Sequence, residues 1–289
     1  MPFPRARRAV RRVTERAHDK RLEREQERRV LGPAHRGWSD NSAVENRDRW
    51  ERWDWTSLGE EWSASPEWKQ GLVDDVLLPN IPPGGTVLEI GPGGGRWSEV
   101  LAARADHLIL VDVAPRVLKV VRERLGDPDH VRYLRSSGSD LAGVEDASVK
   151  AIWSFDVFVH IAPVDQAGYL GEIARVLAPG GTCVCSFFLL NDEARAGVTA
   201  HRSFMSFDVA HSSGVCRLHS AEVPEAAVAH EEAFVRRLHH ENGLQISDVR
   251  RGGWWSGHSD DQDVLTVHRR ELRSAREGSV QGHASGPSR

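Results

Sequence analysis

Apolar and polar positions along the chain fall into blocks whose spacing predicts strands and helices in alternation. Thr86 to Ile90 is an apolar run ending at glycine, and it reads as a first strand. Trp97, Val100, Leu101 and Ala105 then recur at i, i+3, i+4 and i+8, one face of a helix with Arg104 at its edge. His107 to Val111 predicts a second strand, closing at Asp112. Pro115 sits where a helix's first turn tolerates proline, and Leu118, Val121 and Leu125 mark the face this helix buries. Val131 to Leu134 and Val149 to Phe155 read as the third and fourth strands. Leu170, Ile173, Ala174 and Leu177 keep i, i+3, i+4, i+7 spacing, Pro179-Gly180-Gly181 ends their helix, and Thr182 to Leu189 is a fifth strand. Continuous apolar strands alternating with helices predict an α/β fold with a parallel sheet covered on both faces.

Other regions break the alternation. Residues 37–80 precede the first strand; six of the ten tryptophans lie there, and the segment ends in a helix from about Pro66 to Asn80. Residues 190–223 are polar, carry His201, His211 and His219, and are too long for an ordinary loop, which predicts a lid or substrate cap. A helix over Pro224 to Asn242 and two strand-like runs, Leu244 to Val249 and Asp263 to Val267, complete a domain spanning 81–272. Residues 1–36 read as a disordered basic arm and 273–289 as a disordered tail rich in Gly, Ser, Pro and charge.

Composition narrows the function. Of 289 residues, 39% are hydrophobic, enough for a core in one α/β domain with additions. Residues 1–30 hold eleven Arg or Lys against five acids, so a chain of net charge −4 leaves −10 on the rest. An acidic body makes a large nucleic-acid footprint an unfavoured reading, because phosphate neutralisation needs clustered cations. Cys183, Cys185 and Cys216 make no CxxC pair and are odd in number, which fits a reducing cytoplasm better than a disulfide framework. No apolar run approaches 18 residues, and no apolar segment follows the N-terminal charges, so neither a membrane span nor a secretory signal is expected.

Candidate chemistry starts at VLEIGPGGGRW, residues 87–97. The dinucleotide fingerprint G-x-G-x-x-G would need a third glycine at 96, where this chain has Arg96; its pattern is Gly91, Gly93 and Gly95, with Gly94 extra. The loop follows a strand, opens a helix and precedes an acid at the next strand's end, the setting in which backbone cradles a nucleotide-like ligand. Asp112 is placed either to accept hydrogen bonds from two ribose hydroxyls or to cap the following helix. Glu89 puts a carboxylate inside an apolar strand, where it needs a partner: a cationic ligand such as a sulfonium, or a structural one.

Taken in order, VLEIGPGGGRW, LILVDVAP, SSGSDL, SFDVFVHI and RVLAPGG resemble the successive motifs of the class I S-adenosylmethionine-dependent methyltransferases, over roughly residues 70–190. The resemblance implies a Rossmann-like three-layer sandwich, a mostly parallel seven-stranded sheet whose last strand is antiparallel, with the two late runs as strands six and seven. It implies S-adenosyl-L-methionine as cofactor, with Glu89, Gly91, Gly93 and Gly95 at its methionine part and Asp112 at its ribose. Ser139, Asp140 and Leu141 would flank the adenine, Asp140 accepting from its amino group. Ser154, Phe155 and Asp156 would face the sulfonium and the incoming substrate. The segment WERWDWTSLGEEWSASPEW also resembles the N-terminal part of family members that act on sugars; it reads equally as an aromatic apron beneath the Pro66 helix or as a lid over the substrate.

On that resemblance His160, a few residues past the fourth strand, is the leading general base, its near-neutral titration suiting the task, though it could equally cap or pack beside the next helix. Asp156 is the alternative base or the group that orients His160. Asn191 and Asp192 resemble the acid-amide pair of metal-dependent catechol methyltransferases but lack the acidic cluster, so no metal is expected and activity should survive chelation. The fourth strand is followed by no Pro-Pro-Tyr or Pro-Pro-Phe, and there is no Pro-Cys, as nucleic-acid subfamilies would require. The expected function is methyl transfer to a small molecule, O-methylation of a sugar or glycosylated metabolite, with N-methylation of an amino sugar or amine as the alternative. An RNA-associated protein using the basic arm and tryptophans, or a nicotinamide-dependent oxidoreductase, are the competing classes, the last opposed by Arg96.

Overall fold

The computed structural model describes residues 42–211, 213–259 and 261–270. The arm at 1–36 and the tail at 273–289 lie outside the described residues.

Five parallel strands build the centre: β1 (Thr86–Ile90), β2 (His107–Asp112), β3 (Val131–Arg135), β4 (Val149–Ser154) and β5 (Leu177–Leu190), in the order β3-β2-β1-β4-β5. Beyond β5 the sheet continues through β10 (Asp263–Arg269), antiparallel to β5 and to its other neighbour, β9 (Leu244–Arg250). Alternation within the strands sorts side chains onto two faces. Val87, Leu108, Leu110 and Trp153 bury one face beneath α2 (Pro66–Leu72), α3 (Ser98–Ala102) and α4 (Pro115–Leu125). Leu88, Ile90, Ile109 and Val111 bury the other beneath α5 (Pro163–Val176) and α7 (Glu232–Glu241). This is the expected Rossmann-like three-layer sandwich, mostly parallel with an antiparallel last strand.

Three departures concern the additions. α1 (Ser42–Arg52) is a helix in the tryptophan-rich segment that periodicity did not disclose. The helical run from Pro66 to Asn80 is present, relaxed by a π-helical turn at Val73–Leu77. Residues 224–242 are not one helix: a 3₁₀ turn at Pro224–Ala226 leads into β8 (Val228–Glu231), and helix begins only at Glu232. β8 pairs in parallel with the end of β5 and antiparallel with β7 (Cys216–Leu218), which pairs with β6 (Val209–Ala210). The expected seven-stranded sheet thus gains three short strands, and the region 190–223 contains α6 (Asp192–Thr199) besides β6 and β7.

Candidate functional site

The loop between β1 and α3 turns sharply above the sheet. Gly91 has φ +69°, and a Cβ there would lie 2.4 Å from Val157 Cγ2; one at Gly94 would lie 2.3 Å from the Leu58 backbone. The first glycine permits the left-handed turn, and Gly94 lets the N-terminal segment sit directly on the loop. Arg124 of α4 holds that contact, donating to the carbonyls of Leu58 (3.3 Å) and Gly94 (3.2 Å) and to Glu60 (2.9 Å) and Glu99 (2.7 Å).

Loop, strand ends and N-terminal segment enclose a cavity of about 560 Å³, within the range of small-ligand sites. Its walls bring together Gly91, Gly93, Asp112, Phe155, Asp156 and His160 from the expected set. Asp112 is 8% exposed and lines the cavity; its Oδ1 accepts from the Ala114 amide at 2.9 Å, a bond within its own loop rather than a cap on α4, whose N-cap is Ala114. Burial pushes its carboxyl up to about 7.

Several expected residues stand elsewhere. Glu89 is 1% exposed and lies under the loop, where it accepts from Ser98 Oγ at 2.6 Å; burial raises its carboxyl to about 7, and its partner is structural, not a cavity ligand. Gly95 faces Val121 and Arg124 of α4. Ser154 is fully buried, with its hydroxyl 3.4 Å from the Ile90 carbonyl. Asp140 folds back on its own loop, accepting from the amides of Ser137 and Ala142, both at 3.0 Å, and from the Ser137 hydroxyl. Leu141 is a core residue, and neither it, Ser139 nor Asp140 lines the cavity. Gly138 and Tyr169 take that place beside Asp112, linked through Ser136 Oγ, 3.0 Å from the Gly138 amide and 3.2 Å from the Tyr169 hydroxyl. Sequence reasoning chose the polar SSGSDL residues; the useful signal was the loop's glycine.

At the other end, Asp156 adopts φ +62° with its amide 2.9 Å from Ser186 Oγ. Arg96 and Gln262 each donate to one of its carboxylate oxygens. Each carboxylate oxygen thus accepts one bond, and the group that His160 Nδ1 meets is not Asp156. His160 Nδ1 lies 2.8 Å from the Glu225 carbonyl, which can only accept, so Nδ1 carries the proton and Nε2 the lone pair. Burial, then the nearby Arg49 charge, lowers this imidazole to about 4, correcting the near-neutral titration expected for it.

Most of the tryptophans pack against the start of α4 rather than beneath the Pro66 helix. Trp53 and Trp55 are buried against Ala114 and Val117, and Trp50, Trp53, Trp55 and Trp62 form a contacting cluster whose rings also line the cavity. Of the cap histidines, His219 joins the lining, with Phe204 and Met205. Asn191 caps α6, its Oδ1 accepting from the Ala194 amide at 2.8 Å, and no group of three or more metal-ligating side chains occurs among the described residues. No helix among them is long and apolar enough to cross a membrane.

A family model described as a methyltransferase domain matches residues 88–185. That stretch runs from β1 through β5 and contains the glycine loop, Asp112, Asp156 and His160. Residues 88–185 are a methyltransferase domain. A methyltransferase of Aspergillus aculeatus is 32% identical over 151 residues, covering 50% of this chain and 44% of that protein. A ubiquinone biosynthesis O-methyltransferase of Xanthomonas campestris is 33% identical over 105 residues, 36% of this chain and 43% of its own length. The matched part is thus less than half of either relative. The fold is shared with a Pyrococcus horikoshii protein (TM-score 0.55, 17% identity, 75% of this chain and 95% of that one). It is shared too with geranyl diphosphate C-methyltransferase of Streptomyces coelicolor (TM-score 0.53, 14% identity, 81% and 99%).

Proposed function

We propose that this chain transfers a methyl group from S-adenosylmethionine to a hydroxyl of a small molecule. The observation that carries the reading is the single cavity lined by the glycine loop, the buried Asp112 and the imidazole of His160. The donor set suits the cofactor: a glycine turn without Cβ atoms for its chain, and a half-engaged buried carboxylate for ribose hydroxyls. When bound, S-adenosylmethionine supplies an electrophilic methyl group whose S–C bonding pair returns to sulfur. His160 Nε2 takes the hydroxyl proton as the oxygen becomes nucleophilic, a contribution of ~10²- to 10⁴-fold for general bases. Asp156, held by Arg96 and Gln262, fixes the loop that carries His160 rather than moving a proton. Beyond His160 the wall is Phe188, Phe204, Met205, Ala226 and Ala227, which suits an acceptor with an apolar face. A glycoside with an apolar aglycone keeps the sugar reading, its ring lying on an indole. An amine acceptor would need His160 less, since it has its own lone pair.

Calorimetry with S-adenosylhomocysteine tests the cofactor half on wild type, Asp112→Asn and Gly93→Val. Loss of a charge-assisted acceptor should weaken binding about 10- to 100-fold in Asp112→Asn. Gly93→Val should bind poorly, because φ is +54° and the Trp55 ring would lie 3.3 Å from the new Cβ. Binding of NADH instead, or undiminished binding by both variants, overturns the assignment.

A further inference from the structure

The wall beyond His160 is mostly apolar and comes from the cap and the turn that follows it. Phe204, Met205, Ala226 and Ala227 line the cavity there with Phe188 of β5, and His219 is the polar member. Two links seat this wall against the imidazole. His160 Nδ1 is anchored on the carbonyl of Glu225, the residue before Ala226. Val159, the residue before His160, packs in one apolar cluster with Phe188 and Ala227, and Phe204 and Met205 pack against that cluster. Hydrogen bonds hold each piece in place. The Phe204 amide donates to the Trp254 carbonyl at 2.7 Å and the His219 amide to the Ala227 carbonyl at 3.0 Å. The Ser203 hydroxyl donates to the Met205 carbonyl at 2.5 Å. Phe188 is 3% exposed, whereas Phe204 and Met205 are half-buried and keep accessible surface while lining the cavity.

Apolar surface held open in a fixed frame is best covered by an apolar ligand, and the gain grows with the area covered. A phenylalanine ring and a thioether both favour an aromatic partner. Hydroxyls of a bare sugar pressed against them would lose water without gaining a hydrogen-bond partner. We propose that Phe204 and Met205 form an aryl subsite, and that Met205 is a specificity-determining residue for the methyl acceptor. The substrate class is a fused aromatic ring system whose own hydroxyl, carried directly on the ring, reaches His160. Because Val159 joins the base to the subsite, the hydroxyl methylated in a glycoside acceptor is the aglycone's and not the sugar's. This inference rests on the methyl-transfer reading of the cavity.

The test is calorimetry on protein loaded with S-adenosylhomocysteine, with phenol, 2-naphthol and methyl β-glucoside as probes. Wild type should bind 2-naphthol about 10- to 100-fold more tightly than phenol, and the glucoside most weakly. In Met205→Gln, which keeps length but makes the wall polar, the naphthol-to-phenol ratio should fall to within a few-fold. Phenol and S-adenosylhomocysteine affinities should hold, and Met205→Leu should restore the ratio. A wild type that binds naphthol no more tightly than phenol, or prefers the glucoside, overturns the proposal whatever the variants do. So does a ratio that persists in Met205→Gln or stays low in Met205→Leu. Equal weakening of phenol and naphthol also overturns it, as the mark of a residue that only supports the cap. Absence of S-adenosylhomocysteine binding in wild type overturns the underlying cofactor reading instead, so the two failures are distinct.

Discussion

The Nδ1–H of His160 donates to the backbone carbonyl of Glu225 at 2.8 Å, and that one bond decides which ring nitrogen keeps its lone pair. Replacing His160 with Gln should lower turnover on a hydroxyl acceptor by ~10²- to 10⁴-fold and leave cofactor affinity within a few-fold. The imidazole is lowered to about 4 by burial and Arg49, so it is neutral and competent above that pH. The wild-type rate should therefore fall only as pH drops through about 4, and the variant should lack that limb. A wild-type limb near pH 6.5, or a near-normal rate in His160→Gln, would refute the role.

Asp112 gives a second pH signature. Burial holds its carboxyl near 7 without ligand, and ribose hydroxyls donate best to the ionised form. S-adenosylhomocysteine affinity should rise with pH through about 7, and the rise should vanish in Asp112→Asn. Calorimetry from pH 5.5 to 8 reads this directly; a rise that persists in the variant would point to another group, Glu89 being next in line.

Arg124 joins α4, the glycine loop and the N-terminal segment through four hydrogen bonds. Arg124→Ala should cost about 1–3 kcal/mol and weaken cofactor binding, because Leu58 and Gly94 lose their common donor. Thermal melts and a red shift of tryptophan emission, with Trp55 and Trp62 beside this junction, would register it. An unchanged melt would mean that the tryptophan cluster alone seats the segment.

His230 and His239 are almost wholly buried, and burial lowers them to about 3 and about 4. Both have folded values below their unfolded value, so their stability is fully present above about 6.5 and is lost as pH falls toward 4. Glu89 and Asp112, raised to about 7, act oppositely, favouring the fold at acid pH and losing that contribution as pH rises through about 7. His239→Phe removes one acid-labile group while keeping a ring against Phe187. Its melting temperature should decline less between pH 6.5 and 4.5 than that of wild type; parallel curves would dismiss the histidine.

The central sheet was legible because β1 and β2 are near-continuous apolar runs closed by glycine and acid, and the apolar stretches of β4 and β5 resemble them; β3, VRYLR, was the weakest signal. The glycine loop and Asp112 were legible for the same reason: position relative to a strand end is local information. α1 was not, since SAVENRDRWER places few apolar residues on its buried face, and Asn46 and Arg49 are buried there by tertiary contact. Glu89 and Asp140 misled in a common way. Each is a carboxylate in a suggestive motif that bonds Ser98 in one case and its own loop in the other, which only three-dimensional neighbours reveal. The strand VAHE was hidden inside an apparent helix because four residues carry too little periodicity to oppose the helical spacing after them.

β5 is a single strand of 14 residues that belongs to two partnerships, with β4 and β10 through its middle and with β8 at its end. The cap's floor is therefore a rigid continuation of the core, and swinging it aside would mean tearing a hydrogen-bonded ladder. The opposite wall, α1 and the tryptophan turn, is fastened by side chains such as Asn46, Glu51 and Arg124, which can let go one at a time. The cavity thus rests on strand pairing at the cap side and on packing and side-chain bonds at the tryptophan side.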